Sequence, residues 1–304
     1  MPIYASIIIL TKNAGEKLDS VLKQVLACAK KFDSEIIVID SGSSDNTKQI
    51  ISRYPVKQVD IPPLSFSHGG TRNFAAGIAS GKILVYLTQD AIPKDDEWLL
   101  RLLDDFKIPD VAGVFGGQLA NADSSGIEKF YLSFLYPDHQ IIKTSLDINN
   151  CLLNDIFFSD VNSAILKSEW ELHKFDENLI MSEDQEWSRA MLIKGKRIIY
   201  EPQAAVFHSH KYSFWELFKR NFDSGLSLRN LIKPRFTRSI KYEIDYLKKG
   251  FCFFLKEGFY QSLVLFPLYE TIRLFSFILG MHSGFLPVFI KRCLSQNKAY
   301  WDSK

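Results

Sequence analysis

The stretch EIIVIDSGSSDN, Glu35 to Asn46, decides the fold. Four β-branched aliphatics, Ile36 to Ile39, follow one another without a polar interruption. A strand with one wet face would alternate, so this run reads as a strand covered on both faces. It ends on a carboxylate, Asp40, and a cluster of small polar residues suited to a turn. Ser44 or Asp45 can then accept the free amide protons of a helix from Thr47 to Tyr54, which Pro55 stops. Upstream, Ile3 to Leu10 is a second apolar run. Between the two, Leu18, Val21, Leu22, Val25 and Leu26 fall at helical spacing within Lys17 to Lys31. Downstream come a short strand at Val56 to Asp60, a helix from Arg72 to Ala79 ended by Gly81, and a strand from Ile83 to Thr88. This alternation predicts an α/β fold, an open and mostly parallel sheet with helices on both faces. Ligands in such sheets sit at the carboxyl ends of the strands.

Composition agrees with a large packed core. The chain has 304 residues, 46% of them hydrophobic and 24% charged, enough for one large domain or two smaller ones. The net charge of +2 conceals an asymmetry. From Lys211 to Lys304 there are 16 Lys and Arg against 7 Asp and Glu, whereas residues 1 to 210 carry 21 against 28. The basic end suits an anionic surface. Its Phe and Leu content favours burial in lipid or protein over a phosphate track, which argues against nucleic acid. Cys28, Cys151, Cys252 and Cys293 lack metal-site spacing and read as inert thiols of a reducing compartment. The first residues, MPIYASIIILTKN, have no basic leader and read as a strand, so a cytoplasmic location is expected.

On this scheme the polar residues converge. Thr11 and Asn13 follow the first strand, Asp40 ends the second, HGGTRN (His68 to Asn73) opens a helix and Asp90 follows the strand Ile83 to Thr88. A strand-end carboxylate can accept from a ribose hydroxyl or base imide, and an Arg beside a Gly-Gly turn favours phosphate. A second carboxylate can hold a divalent cation. Together these describe a nucleoside diphosphate with its metal. Neither GxGxxG after the first strand nor GxxxxGK[ST] occurs, which disfavours dinucleotide and P-loop readings.

The segments SIIILTKN, EIIVIDSGSSDNT, SHGGTRNFAAGIASGKILVYLTQDAIPKDDEWL and VNSAILKSEWELHKFDENLIMSEDQEWSRAMLIKGKRIIYEPQAAVFHSH resemble the inverting family 2 glycosyltransferases of GT-A fold. The likeness is greatest to bacterial rhamnosyltransferase-type members that build O-antigen and other surface polysaccharides. It spans residue 3 to about residue 230. The resemblance implies that Thr11 and Asp40 hold the nucleoside, with Asn13 and His68 on the donor, and that Arg72 approaches the diphosphate. Asp90 is implied to be the metal-reaching acid of a D-x-D motif whose first Asp is here Thr88. With one acid fewer, the diphosphate oxygens must supply much of the coordination.

The resemblance also assigns Glu183-Asp184 to the family's E-D pair. Asp184 is implied as the general base that takes the proton of an attacking sugar hydroxyl, and Glu183 as a residue that orients the acceptor or braces the loop. Ser182 is expected to cap the helix that carries them. His208 and His210 alternate on a strand and so face one side. A His at this place completes the metal site in many relatives, and imidazole with oxygen ligands suits Mn²⁺ as well as Mg²⁺. Weaker candidates on the acceptor side are Asn162, Trp187 and Gln118, with Trp98 as a further stacking ring. The implied activity is inverting transfer of a sugar, rhamnose from dTDP-rhamnose or a UDP-linked sugar, to a hydroxyl of a lipid-linked, undecaprenyl-type saccharide. The competing reading is a catalytically idle nucleotide-sugar-binding scaffold of a polysaccharide assembly complex, against which the intact Glu183-Asp184 pair argues.

A division follows: a GT-A domain over residues 1–210, with a nucleotide half (1–115) and an acceptor half (116–210), and a helical, basic and aromatic region over 211–304. Phe259 to Met281 is nearly long and apolar enough to span a bilayer but contains Glu270 and Arg273. An interfacial helix pair on the cytoplasmic face of the inner membrane is the expectation. The alternative is a helical subdomain packed on the catalytic domain or on a second copy in a homo-oligomer.

Overall fold

The structure, a computed structural model, describes residues 4–233 and 235–302. Ile3 of the first expected strand and Pro234 of the basic link lie outside the described residues. The strands are β1 (Ala5–Thr11), β2 (Ser34–Asp40), β3 (Lys57–Asp60), β4 (Ile83–Thr88), β5 (Ile92–Pro93), β6 (Val111–Leu119), β7 (Ile141–Lys143), β8 (Asn162–Leu166) and β9 (Arg197–Phe207). The helices are α1 (Glu16–Ala29), α2 (Thr47–Ile51), α3 (His68–Ile78), α4 (Trp98–Asp104), α5 (Gly126–Leu135), α6 (Leu153–Ile156), α7 (Lys167–Leu172), α8 (Glu183–Ile193), α9 (Phe214–Leu228), α10 (Phe236–Glu257), α11 (Tyr260–Met281), α12 (Val288–Leu294) and α13 (Lys298–Asp302).

One sheet runs in the order β3-β2-β1-β4-β8-β6-β9-β5, with β7 also on β9. Its amino-terminal half is parallel, β3 to β2, β2 to β1 and β1 to β4. Beyond β4 the sheet becomes mixed, because β8 runs antiparallel to both β4 and β6. The expectation of a mostly parallel sheet therefore holds for the first half only. Two reversals restore the direction, so the carboxyl ends of β6 and of its parallel neighbour β9 lie at the same edge as those of β1, β2 and β4.

The apolar runs divide between two faces as a period-2 strand requires. Ile7, Ile9, Val38, Val85 and Leu87 pack with α1 and α4. Ile8, Ile37, Ile39, Leu84 and Tyr86 pack with α3 and α8 on the other side. Both faces are dry, which explains the unbroken aliphatic runs.

Two of the expected helix starts follow local chemistry and a third does not. Asp45 Oδ1 accepts from the Thr47 N–H at the start of α2. Ser67 Oγ accepts from the Gly70 N–H, so α3 begins earlier than the sequence suggested. The expected Ser182 cap is not formed. Ser182 sits in the left-handed region at φ 67° and its side chain makes no capping bond; Asp184 Oδ1 instead accepts from the Gln185 N–H inside the first turn.

The carboxyl-terminal helices join the sheet through α5. Phe130 of α5 lies within ring contact of Tyr246 and Phe254 of α10 and Phe266 of α11, at centroid distances of 5.1, 5.5 and 5.7 Å. Charges on α11 turn inward. Glu270 is buried and accepts from Tyr246 Oη at 3.1 Å, and Arg273 Nη2 meets Glu243 of α10 at 2.7 Å. The helix is long and apolar enough to cross a membrane by length and composition.

Helices α9 and α11 approach closely because glycines face backbone across the contact. A Cβ on Gly280 would lie 2.1 Å from the Phe222 carbonyl oxygen, and one on Gly225 2.1 Å from that of Phe277. Gly280→Leu should push the helices apart and destabilise the protein by about 1–3 kcal/mol, seen as a lower urea midpoint at unchanged slope. Gly77 of α3 faces open space, so Gly77→Ala should raise the midpoint by up to about 1 kcal/mol.

Candidate active site

The shared edge gathers the polar ends of five strands. Asp40, at the end of β2, accepts at Oδ1 from the Gly42 and Ser43 N–H groups at 3.0 and 2.9 Å. Its buried Oδ2 has no hydrogen-bond partner among the described residues, a state that calls for a donor from a ligand or water. Asn13, held at φ 48°, accepts at Oδ1 from the Ser44 N–H at 2.8 Å and ties the β1 and β2 loops together. Thr11 Oγ1 donates to Gln89 Oε1 at 2.9 Å, which links β1 to the loop that carries Asp90. Gln89 stands in the middle of Thr88-Gln89-Asp90 and holds that turn in place.

Asp90 meets two imidazoles. His208 Nε2 lies 3.5 Å from Asp90 Oδ1 and His210 Nε2 lies 3.7 Å from Oδ2. One ligand atom from each of the three residues lies within 4.8 Å of the others. Both histidines, read from sequence as alternates, thus reach the same acid. Burial pushes the His208 imidazole down to about 4, against the pull of Asp90, and lowers His210 as well. Both are neutral at neutral pH and carry free lone pairs. His208 Nδ1 faces Gln118 Oε1 at 2.9 Å, while Gln118 Nε2 donates to Tyr136 Oη and to Ser159 Oγ at 3.1 Å. With Nδ1 so engaged, Nε2 is the atom left for a cation. One carboxylate and two neutral imidazoles fit a divalent ion, and the mixed set suits Mn²⁺ at least as well as Mg²⁺.

The same hydrogen-bond chain leads to the second cluster. Ser159 precedes Asp160, whose N–H donates to Asp184 Oδ2 at 3.1 Å. Arg72 of α3 places Nε 3.1 Å from Asp160 Oδ2, and its Nη1 donates to Glu183 Oε1. The guanidinium is buried between these carboxylates and 6.0 Å from the Tyr86 ring centroid. Burial raises the carboxyls of both Asp160 and Asp184, against the pull of Arg72. Glu183 braces Arg72, and the expected partner of Arg72, a diphosphate, finds two protein carboxylates already there.

Two residues that sequence reasoning did not single out belong to the site. Asp160 precedes a strand and reads from sequence as a turn residue. Arg220 lies on α9, is exposed and has no carboxylate within ion-pair distance among the described residues. It lowers the pKa of His68, His208 and His210, so α9 brings a cation, lying over the Tyr212 ring at 5.5 Å, near these imidazoles. Burial, then Arg72 and Arg220, push His68 down to about 3, so this imidazole is neutral.

Three acceptor-side expectations are corrected. Asn162 is fully buried; its Oδ1 accepts from Trp98 Nε1 at 2.8 Å and its Nδ2 donates to the Ala204 carbonyl at 2.7 Å. Trp187 and Trp98 are fully buried in the two cores. No substrate reaches such side chains. Gln118 is also buried, and its place is behind His208 rather than on an acceptor.

A model of the family described as "Glycosyl transferase family 2" matches residues 6–170, more than half of the chain. Two O-antigen chain rhamnosyltransferases align along the whole chain. WbaN of Salmonella anatum is 32% identical over 100% of this chain and 97% of its own. RfbN of Salmonella typhimurium is 31% identical over 98% and 96%. Among solved structures, the mannosyltransferase PcManGT of Pyrobaculum calidifontis, with GDP-Man and Mn²⁺, superposes with TM-score 0.58 at 14% identity, covering 93% of this chain and 86% of that one. S. aureus TarS 1-349 gives 0.53 at 17% identity over 96% and 83%.

The arrangement around His208 makes a distinguishing prediction. Gln118→Leu should weaken Mn²⁺ binding by about 10–100-fold, and His208→Ala at least as much, by calorimetry in the presence of a nucleoside diphosphate. Asn162→Ala should instead lower thermal stability and leave the cation affinity in place.

Proposed function

The chain belongs to glycosyltransferase family 2, and we propose that within it the protein transfers rhamnose from dTDP-rhamnose, with inversion, to a hydroxyl of a lipid-linked saccharide in surface-polysaccharide synthesis. The observation that carries the reading is the continuous chain from Asp90 and His208 through Gln118 and Ser159 to Asp160 and Asp184. It connects the candidate cation ligands with a half-buried carboxylate, Asp184, and so supports a metal-assisted transfer with Asp184 as base. The two full-length relatives named as O-antigen chain rhamnosyltransferases support the sugar and the pathway class.

Each residue has a chemical task. Asp40 receives a donor from the nucleoside at its unpartnered Oδ2. Arg220, which has no carboxylate partner among the described residues, offers its charge to the departing diphosphate. Asp90, His208 and His210 would hold a divalent cation, which supplies charge neutralisation on the leaving group. Asp184 takes the proton from the acceptor hydroxyl as that oxygen bonds the anomeric carbon and the bond to the diphosphate breaks. The raised carboxyl of Asp184 makes it a stronger base than an exposed Asp. Products are the extended saccharide and the nucleoside diphosphate.

A membrane surface suits the acceptor. Phe236, Ile240, Ile244, Phe251 and Leu255 form an exposed stripe on α10 beside exposed Lys241, Lys248 and Lys256. Val264, Leu268, Phe275 and Ile278 form another along α11. Apolar stripes edged by lysines fit an interface with anionic headgroups. The inward pairing of Glu270 and Arg273 removes the charge that the sequence alone seemed to offer to lipid.

Two measurements follow. With dTDP-rhamnose, Mn²⁺ and a lipid-linked acceptor, Asp184→Asn should lower kcat by about 10²-fold or more with donor binding retained; undiminished turnover removes Asp184 as the base. Replacing Phe251 and Leu255 together by Ser should weaken co-sedimentation with anionic vesicles by about tenfold or more.

A further inference from the structure

Around Asp184 the charges do not balance. One guanidinium, Arg72, pairs with two carboxylates, Asp160 and Glu183, and a third, Asp184, lies beside them with its Oδ2 on the Asp160 N–H. Asp160 and Glu183 are nearly inaccessible, at 1% and 3% exposure. Two inaccessible carboxylates ionised on one guanidinium, with the half-buried Asp184 beside them, would leave a net negative charge largely shielded from solvent, which favours a proton held within the cluster. Glu183 has direct contact with Arg72 Nη1 and is accounted for as an ion pair. The proton therefore belongs to Asp160 or Asp184.

The surroundings choose between them. Asp184 Oδ1 and Oδ2 each accept from a main-chain N–H, of Gln185 at 2.8 Å and of Asp160 at 3.1 Å. Main-chain donors favour an ionised acceptor. Asp160 has instead Ser163 Oγ 2.6 Å from its Oδ1. A hydroxyl either donates or accepts, so it can receive a hydrogen bond from a protonated Oδ1 while Oδ2 faces Arg72 Nε. We propose, resting on the reading of Asp184 as the base, that Asp160 is a positioning residue that holds the cluster's proton, so that Asp184 stays ionised and is aimed at the acceptor by its two main-chain donors, one of them the Asp160 N–H.

The titratable and charged groups that face the pair are Arg72 from α3, Glu183 from α8, Tyr86 from β4 and Tyr136 at the end of α5. Burial raises both tyrosines, so they stay neutral and do not compete. Burial first, and then the charge of Asp184, push the Asp160 carboxyl up to about 7. Asp184, with a main-chain donor on each oxygen, is the member of the pair that stays ionised. Above that pH Asp160 becomes a second anion on Arg72, and its charge repels the neighbouring Asp184 carboxylate from its place.

The test is Asp160→Asn, whose amide mimics the neutral acid toward Ser163 and Arg72. In the full chain with dTDP-rhamnose, Mn²⁺ and lipid-linked acceptor, wild-type kcat should fall on the alkaline side. Asp160→Asn should lose that alkaline fall and cost less than about tenfold at the wild-type optimum, against about 10²-fold or more for Asp184→Asn. An unchanged pH profile overturns the proposal, as does a variant as inactive as Asp184→Asn at every pH with its fold intact. Retained turnover in Asp184→Asn would instead sink the assignment of the base.

Thermal melts give a readout that needs no substrate. A carboxyl that holds its proton more tightly when folded stabilises at low pH, and this contribution is lost as pH rises from near 4 through about 7. A permanently neutral Asn does not lose it. The Tm of Asp160→Asn minus that of wild type should therefore grow between pH 5 and pH 8, and parallel curves would overturn the proposal independently of activity.

Discussion

The buried guanidinium of Arg72 is the joint of the molecule. A charge without solvent has to be paired, and breaking such a pair costs several kcal/mol because the survivor is left uncompensated. Arg72 stands on α3, in the parallel half of the sheet, and its partners belong to the other half, Asp160 before β8 and Glu183 at the start of α8. One side chain thus fixes the nucleotide-side helix against the helix that carries Asp184. The antiparallel insertion of β8 makes this possible by starting at the edge where β1, β2 and β4 end.

On the proposed reading, the chemistry divides from that joint into a cation side and a base side joined by neutral hydrogen bonds. Asp90 is the one carboxylate of the cation side, and two imidazoles made neutral by burial fill the place of a second acid. The exchange of a carboxylate for nitrogen ligands lowers the negative charge that faces a diphosphate. Gln118 orients His208, and Ser159 carries the connection on to Asp160. Positive charge on the open side comes from Arg220 on α9, so the helical region contributes to the surroundings of His68 and His208.

Much of the first half was legible because the signal is local. Unbroken runs such as Ile36 to Ile39 require a strand dry on both faces, and Asp40, Thr11, Asn13 and Asp90 follow from strand direction alone. Alternation put His208 and His210 on one side of a strand, and both reach Asp90. The second half was less legible because its order depends on non-local pairing. No spacing in VNSAIL tells that β8 runs antiparallel between β4 and β6, so the change to a mixed sheet was missed. Burial is also invisible in a motif. Asn162, Trp187 and Trp98 look like substrate contacts in sequence and are core in the fold, whereas Asp160, one turn residue among many, turns out to touch Asp184. The Ser182 cap failed for a conformational reason, since a residue in the left-handed region does not place its hydroxyl over the first amides.

The central claim is that one cleft holds the cation on Asp90 and His208 and presents the donor's anomeric carbon to Asp184. A crystal structure with Mn²⁺ and an uncleavable dTDP-rhamnose analogue tests it most directly. The account predicts an anomalous manganese peak about 2.2 Å from an Asp90 oxygen and His208 Nε2, with Asp184 on the face of the sugar opposite the diphosphate. Manganese bound elsewhere, or an anomeric carbon screened from Asp184 by protein, would contradict it.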